Sequence, residues 1–166
     1  MNRLRPQQGF TLTELLVGIA VLTILLALAA PSFTNASLPS KLRSVSNALI
    51  GATHLARSEA IKRGAPVTLC VSADGASCGV GNWSQGWIVL SGTTVLHSEP
   101  AAPTGFRVTP TGGSAALIFQ PTGLAATAEV FTVCRATPTV GSQERTVTLT
   151  AIGRATIQTT NAGACP

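Results

Sequence analysis

The sequence predicts an α+β fold: an N-terminal transmembrane helix that continues into an amphipathic helix packed on an antiparallel β-sheet head. Three observations carry this expectation. A nearly uncharged apolar run fills residues 10–30. Apolar residues then recur at spacings of three and four through residues 40–63, the period of a helix with one buried face. After Pro66 the pattern becomes short β-branched runs separated by Gly, Pro, Asn and Ser, which is the punctuation of strands and turns.

The apolar run reads FTLTELLVGIAVLTILLALAA and contains one charge, Glu14. As a helix it would extend roughly 31 Å, about the thickness of a bilayer's hydrocarbon. Residues 1–9, MNRLRPQQG, are short, polar and basic. Arg3 and Arg5 therefore keep them cytoplasmic while the remainder crosses outward. A secretory signal peptide cut near Ala29 and Ala30 is the rival reading. The apolar stretch is long for one, and Gly-Phe-Thr-x-x-Glu interrupts its entry. A carboxylate within such a helix costs roughly 2–3 kcal/mol unless it is paired or reaches the headgroups. If the chain is cut between Gly9 and Phe10, a new α-ammonium appears one turn from Glu14. Glu14 of one subunit would then face the Phe10 amine of its neighbour in a packed assembly. The plainer alternative is a carboxylate that snorkels to the interface.

Residues 31–39, PSFTNASLP, carry two prolines and are expected to form a kinked linker. Ser40 is placed to cap a fresh helix over 40–63. Its apolar face would be Leu42, Val45, Leu49, Ala52, Ala56 and Ala60. Gly64 and Pro66 end it. His54 reads as a surface or packing residue, and Arg57, Glu59, Lys62 and Arg63 as a solvated face. Strands are expected at Val67–Ser72, Trp87–Leu90, Thr94–His97, Arg107–Thr109, Leu117–Gln120, Glu129–Cys134, Thr146–Thr150 and Ala155–Thr159. Ser91-Gly92 and Pro121-Thr122-Gly123 are expected as turns.

The four cysteines, Cys70, Cys78, Cys134 and Cys165, have no zinc spacing. Disulfides in an oxidising compartment are the favoured reading. Of three pairings, Cys70–Cys78 with Cys134–Cys165 is preferred because each pair flanks a turn-rich segment; free buried thiols are the alternative. Net charge is +5, falling to +3 if the basic leader is removed. That excess permits contact with nucleic acid or anionic lipid without requiring it.

Gly9-Phe10-Thr11-Leu12-Thr13-Glu14-Leu15-Leu16 resembles the prepilin cleavage and methylation motif of type IV pilins and type II secretion pseudopilins. Thr13 stands where an aliphatic residue is commoner, and Pro31 falls where many pilins carry a kinking proline. The resemblance implies prepilin peptidase cleavage after Gly9, N-methylation of Phe10 and an assembly role for Glu14. Three further segments resemble the GspH/FimT family of H-type pseudopilins and T- and U-type minor pilins. These are Leu55-Ala56-Arg57-Ser58-Glu59-Ala60-Ile61-Lys62-Arg63-Gly64, Val67-Thr68-Leu69-Cys70 and Trp83-Ser84-Gln85-Gly86-Trp87. Gly153-Arg154-Ala155-Thr156 is similar to a GRxR motif implicated in DNA binding by T-type members, but lacks its second arginine.

These readings divide the chain into a leader (1–9), a transmembrane and assembly helix (10–30), the linker (31–39) and a periplasmic head (40–166). The leading expectation is a minor pilin that primes or caps a type IV pilus and supports adhesion, twitching motility and DNA uptake. The runner-up is an H-type pseudopilin, and a DNA receptor using Arg135, Arg145 and Arg154 is the third reading. Expected partners are other pilins or pseudopilins, prepilin peptidase, the inner membrane and, in the third reading, DNA. No cofactor, metal site or catalytic group is expected. The two histidines lie in different elements, and no acid is spaced with a Ser or Cys nucleophile.

Overall fold

The computed structural model describes residues 10–166, with the side chains of 28–36 outside the described set. The leader expected over 1–9, Gly9 included, lies outside the described residues. The chain divides after Ser37 into two compact units. Helix α1 is assigned to Leu12–Arg63, which corrects the expected linker at 31–39. The helix runs through both prolines, and Ser40 is an interior residue rather than a cap. Each proline deletes one amide from the ladder and crowds one carbonyl. The backbone is nonetheless assigned as helix over the seven residues between them.

In the first unit the large apolar side chains from Leu12 to Leu26 are exposed, between 50% and 74% for Leu12, Leu15, Val17, Ile19, Leu22 and Leu25. Among the described residues no helix is long and apolar enough to cross a membrane. Described side chains cover 12–27 of the expected span, about 24 Å of helix against about 30 Å of hydrocarbon.

In the head unit the expected helical face is buried, with Leu42, Leu49, Ala56 and Ala60 wholly inaccessible. All eight expected strands form: β1 (Val67–Val71), β2 (Trp87–Ser91), β3 (Thr94–Glu99), β4 (Phe106–Pro110), β5 (Ala116–Phe119), β6 (Glu129–Arg135), β7 (Glu144–Leu149) and β8 (Ala155–Thr160). They build two antiparallel four-stranded sheets, ordered β3-β2-β1-β5 and β4-β6-β7-β8. Alternate residues face the core. Leu69 pairs with Val89 and Leu117 in one sheet, and Phe131 with Val147 in the other. Trp83 comes from a short 3-10 turn (Trp83–Gln85), yet it is fully buried. Its ring lies 5.0 Å edge-on from Phe131 and 6.3 Å from Trp87. Its indole N–H donates to the Ser114 carbonyl at 2.7 Å. Both tryptophans are thus core residues, and the indole bond satisfies the one polar atom of Trp83.

Three carboxylates hold loops onto this frame. Glu129 is buried and accepts from the amides of Gly112 (2.8 Å), Ser114 (3.3 Å) and Val130 (3.0 Å). Glu144 is buried and accepts from Ala162 (2.9 Å) and Gly163 (2.8 Å), fastening the C-terminal tail. Asp74 accepts from the amides of Ala76 and Ser77, both at 2.9 Å, and from the hydroxyls of Ser77 and Ser72. These bonds hold the Asp74 carboxyl far below the usual carboxylate range.

Disulfides join Cys70 to Cys78 and Cys134 to Cys165, the pairing preferred from the sequence. By chain entropy, the 31-residue loop of the second contributes about 4 kcal/mol and the 8-residue loop of the first about 2.5 kcal/mol. Replacing each pair by serines and following urea unfolding is expected to give losses in that order. Equal losses would show that strain or residual unfolded structure, rather than loop length, sets the effect.

Candidate assembly site and the basic residues of the head

The N-terminus of α1 is built around Thr11 and Glu14. Thr11 is the N-cap: its Oγ1 accepts from the Glu14 amide at 3.2 Å. Glu14 Oε2 in return accepts from the Thr11 amide at 3.3 Å and the Thr11 hydroxyl at 3.1 Å. This is a capping box, and it satisfies two amides that a helix start leaves unpaired. Its Thr-x-x-Glu signature before an apolar run is present in the sequence, where Glu14 stands out first as the lone charge of that run. Both reciprocal bonds use Oε2. Oε1 has no hydrogen-bond partner among the described residues.

Phe10 precedes this cap and is 88% exposed. Phe10, Glu14, Leu15, Gly18, Ile19 and Leu22 line one shallow groove along the helix. A Cβ at Gly18 would meet nothing within 4 Å. The glycine is therefore not required by packing within this chain, although it costs about 1 kcal/mol in a helix interior. The arrangement presents an apolar surface with one carboxylate at its end, and Oε1 is available to an incoming cation.

Of the three arginines of the DNA-receptor reading, Arg145 pairs with Val133 and Arg135 lies two residues beyond it on the neighbouring strand, but Arg154 lies apart from both. Arg135 is buried, and its Nε–H donates to the Thr139 carbonyl at 3.1 Å. Arg145 is also buried, donating to Gln143 Oε1 at 3.0 Å and to the Glu144 carbonyl at 3.1 Å. Arg154 is exposed at the β7–β8 turn. Arg145 pairs in register with Thr159, at the far end of β8, so it lies roughly 16 Å from Arg154 along the strand. The correction has a simple cause. Strand β7 begins at Glu144, two residues earlier than the sequence pattern predicts, which draws Arg145 into the sheet. Beside Arg154, Arg57 donates to the Gly153 carbonyl at 3.4 Å. Of the histidines, His54 is exposed on α1 and His97 lies 3.4 Å from Glu99. Among the described residues no group of three His, Cys, Asp or Glu side chains is placed to hold a metal ion.

A family model described as "Type II transport protein GspH" matches residues 45–153, and one described as "Prokaryotic N-terminal methylation motif" matches residues 4–30. The chain is similar to the crystal structure of the type IV minor pilin FimU of Pseudomonas aeruginosa. That match covers 72% of this chain and 90% of that one, with a TM-score of 0.59 and 18% identity. It is also similar to the minor pseudopilin EpsH of the Type 2 Secretion System of Vibrio cholerae, over 71% of this chain and 96% of that one, with a TM-score of 0.51 and 13% identity. At such identities the likeness is one of fold. No curated protein matches the chain significantly. The GspH match spans more than half of the sequence and sits behind a methylation motif, so the chain belongs to the GspH family of pilin-like structural proteins.

Proposed function

We propose that this chain is a minor pilin of a type IV pilus. Prepilin peptidase cuts it between Gly9 and Phe10, and Phe10 is N-methylated. Residues 10–30 hold it in the inner membrane with the head on the periplasmic side until it joins the filament, where it primes or caps assembly. It serves adhesion, twitching motility and DNA uptake through the pilus rather than by catalysis.

One observation carries this reading. From Leu12 to Leu26 the described large apolar side chains of α1 are exposed, and the single acid of that stretch, Glu14, lies at its start. Such a surface needs a cover, either lipid or the helices of other subunits. The test is mass spectrometry of sheared filaments and of membranes, together with a gene deletion. The expected mature N-terminus is methylated Phe10, found in both fractions. The deletion is expected to reduce piliation and twitching while type II secretion continues. An intact Met1, or a start near Ser32, would overturn the reading.

A second reading, an H-type pseudopilin of type II secretion, is favoured by the description of the matching family and by the likeness to EpsH. The same deletion separates the two: a secretion defect with normal pili selects the pseudopilin. DNA binding draws little support, because two of its three proposed arginines are spent on contacts within the head.

A further inference from the structure

The two sheets have four edge strands; two of them are closed by hydrogen bonds and a third is blunted by a bulge. On β4 the outward positions are Phe106, Val108 and Pro110. The Phe106 amide donates to the Pro103 carbonyl at 2.9 Å, the Val108 amide to Ser84 Oγ at 2.9 Å, and Pro110 has no N–H. On β5, four residues long, the Ile118 carbonyl accepts from the Ala126 amide at 2.8 Å, and Phe119 bridges to Ala125. On β3 the register shifts at Val89/Leu90, which inserts a bulge, and the strand carries His97 and Glu99 and runs into Pro100. Bulges, prolines, charges and covering loops are the usual means of blocking unwanted strand addition.

β8 has none of these. Its sequence, Ala155-Thr156-Ile157-Gln158-Thr159-Thr160, holds no charge and no proline. The hairpin bond from the Thr150 amide to the Arg154 carbonyl, 2.9 Å, fixes the phase of the β7–β8 ladder. Antiparallel alternation then turns Thr156, Gln158 and Thr160 toward β7, and the backbone of Ala155, Ile157 and Thr159 outward. Among the described residues no hydrogen bond closes that outer row. The side chains of Ala155 and Ile157 still reach the core, so the strand is firmly seated while its edge stays open.

We propose that β8 is a docking edge: an extended segment of a separate protein adds to it as a fifth strand and carries a carboxylate where it passes Arg154. The carboxylate follows from charge. Arg154 stands exposed at the start of β8, and the acids of this sheet, Glu129 and Glu144, are buried and fully used. A second copy of the chain is a poorer occupant. Two β8 strands paired antiparallel about Ile157 would set Arg154 against Thr160, leaving the guanidinium without an anion. Main-chain bonds supply affinity in such strand addition, and flanking side chains supply specificity. The edge belongs to the head alone, so the proposal does not rest on the pilus reading.

The test places a photo-crosslinking amino acid at Thr159 of the full-length chain in cells, with the same group at Val95 on the blocked β3 edge as a control. The support required is a crosslink from position 159, absent from position 95, to a strand-forming segment of another protein with Asp or Glu about five residues along that segment from the crosslinked site, the span that separates Thr159 from Arg154. Thr159 donates outward, so Thr159→Pro in a chain carrying the crosslinker at Gln158 removes one intermolecular bond and none within the head. It is expected to lower the crosslink about five-fold, the weight of one hydrogen bond. Arg154→Glu in the original position-159 chain is expected to lower it at least as much, and a Lys in place of the partner's acid is expected to restore it. The Arg154→Glu arm keeps the proposal open to refutation if the proline variant fails to fold. Crosslinks confined to a second copy, to lipid or to nucleic acid, no crosslink at all, or insensitivity to Arg154→Glu would each overturn it.

Discussion

Glu14→Gln is expected to abolish incorporation of this chain into filaments while leaving its helix start intact, and Glu14→Ala is expected to do no worse. The pair separates two roles of one side chain. In the single chain Glu14 closes a capping box with Thr11, a role that Gln fills as well as Glu. Losing the box altogether, as in Glu14→Ala, costs about 1 kcal/mol of helix stability, too little to undo a long helix. The proposed assembly role requires charge. Oε1 has no partner within the described chain, and the α-ammonium that cleavage would create at Phe10 is the cation that the prepilin resemblance supplies for a neighbouring Glu14. Removing one member of a desolvated ion pair costs about 3–5 kcal/mol, or about two to three and a half orders of magnitude in occupancy. Neutral Gln also enters a bilayer more readily than a carboxylate, so membrane levels are expected to hold or rise. Immunoblots of sheared filaments against membranes read both outcomes. If Glu14→Gln assembles normally and Glu14→Ala does not, the side chain acts only as a cap.

Much of the fold was legible in the sequence because its signals are local. The spacing from Leu42 to Ala60 defines a helical face by itself, and Val130-Phe131-Thr132-Val133 alternates as a half-buried strand does. What was not legible depends on partners distant in sequence. The polar Glu144-Arg145 pair reads as loop, yet it lies in β7 because the tail amides of Ala162 and Gly163 arrive to satisfy the carboxylate. Arg135 reads as a free cation until Thr139 turns back onto it. Prolines at 31 and 39 signal a break that a long hydrogen-bonded ladder overrides. The open edge of β8 was invisible for another reason. An edge is defined by what does not pair with it, and strand order follows from topology rather than composition. Within the candidate assembly site, Glu14 was conspicuous as a lone charge among apolar residues. The reciprocal part played by Thr11 emerges only with the helix boundary in hand.

Glu129→Ala is expected to be the most damaging single change to the head among its charged residues. The carboxylate ties the loop after β4 to β6 by accepting from Gly112 and Ser114, and the loop is shaped for it: a Cβ at Gly112 would stand 2.8 Å from Oε2. Truncation removes the acceptor of these amides, the first on an exposed residue and the second on a half-buried one, a loss of about 2–3 kcal/mol, a sizeable share of the roughly 5–15 kcal/mol that typically holds a domain. Trp83 and Trp87, the only tryptophans and both buried in the head, report the urea transition by fluorescence even in detergent-held full-length chain. The pH dependence gives a sharper test. Burial pushes the Glu129 carboxyl up, but hydrogen bonds from the Ser114 side chain and from the amides of Gly112, Val130 and Ser114 outweigh it and leave its pKa below the ordinary 4.5. A depressed pKa means that the folded state binds its proton later than the unfolded one. The stabilisation is therefore complete above about pH 5 and drains away as pH falls from 4.5 through the folded value. Asp74 has the same sign, so the wild-type head weakens in acid through at least two groups. In Glu129→Gln one of them is gone. That variant is expected to be less stable than wild type at neutral pH, and the gap is expected to narrow in acid as the wild-type carboxyl protonates and loses its advantage. A gap that stayed constant from pH 7 to pH 3 would mean that the side chain contributes shape rather than charge. The tie between this loop and β6 would then be a matter of packing.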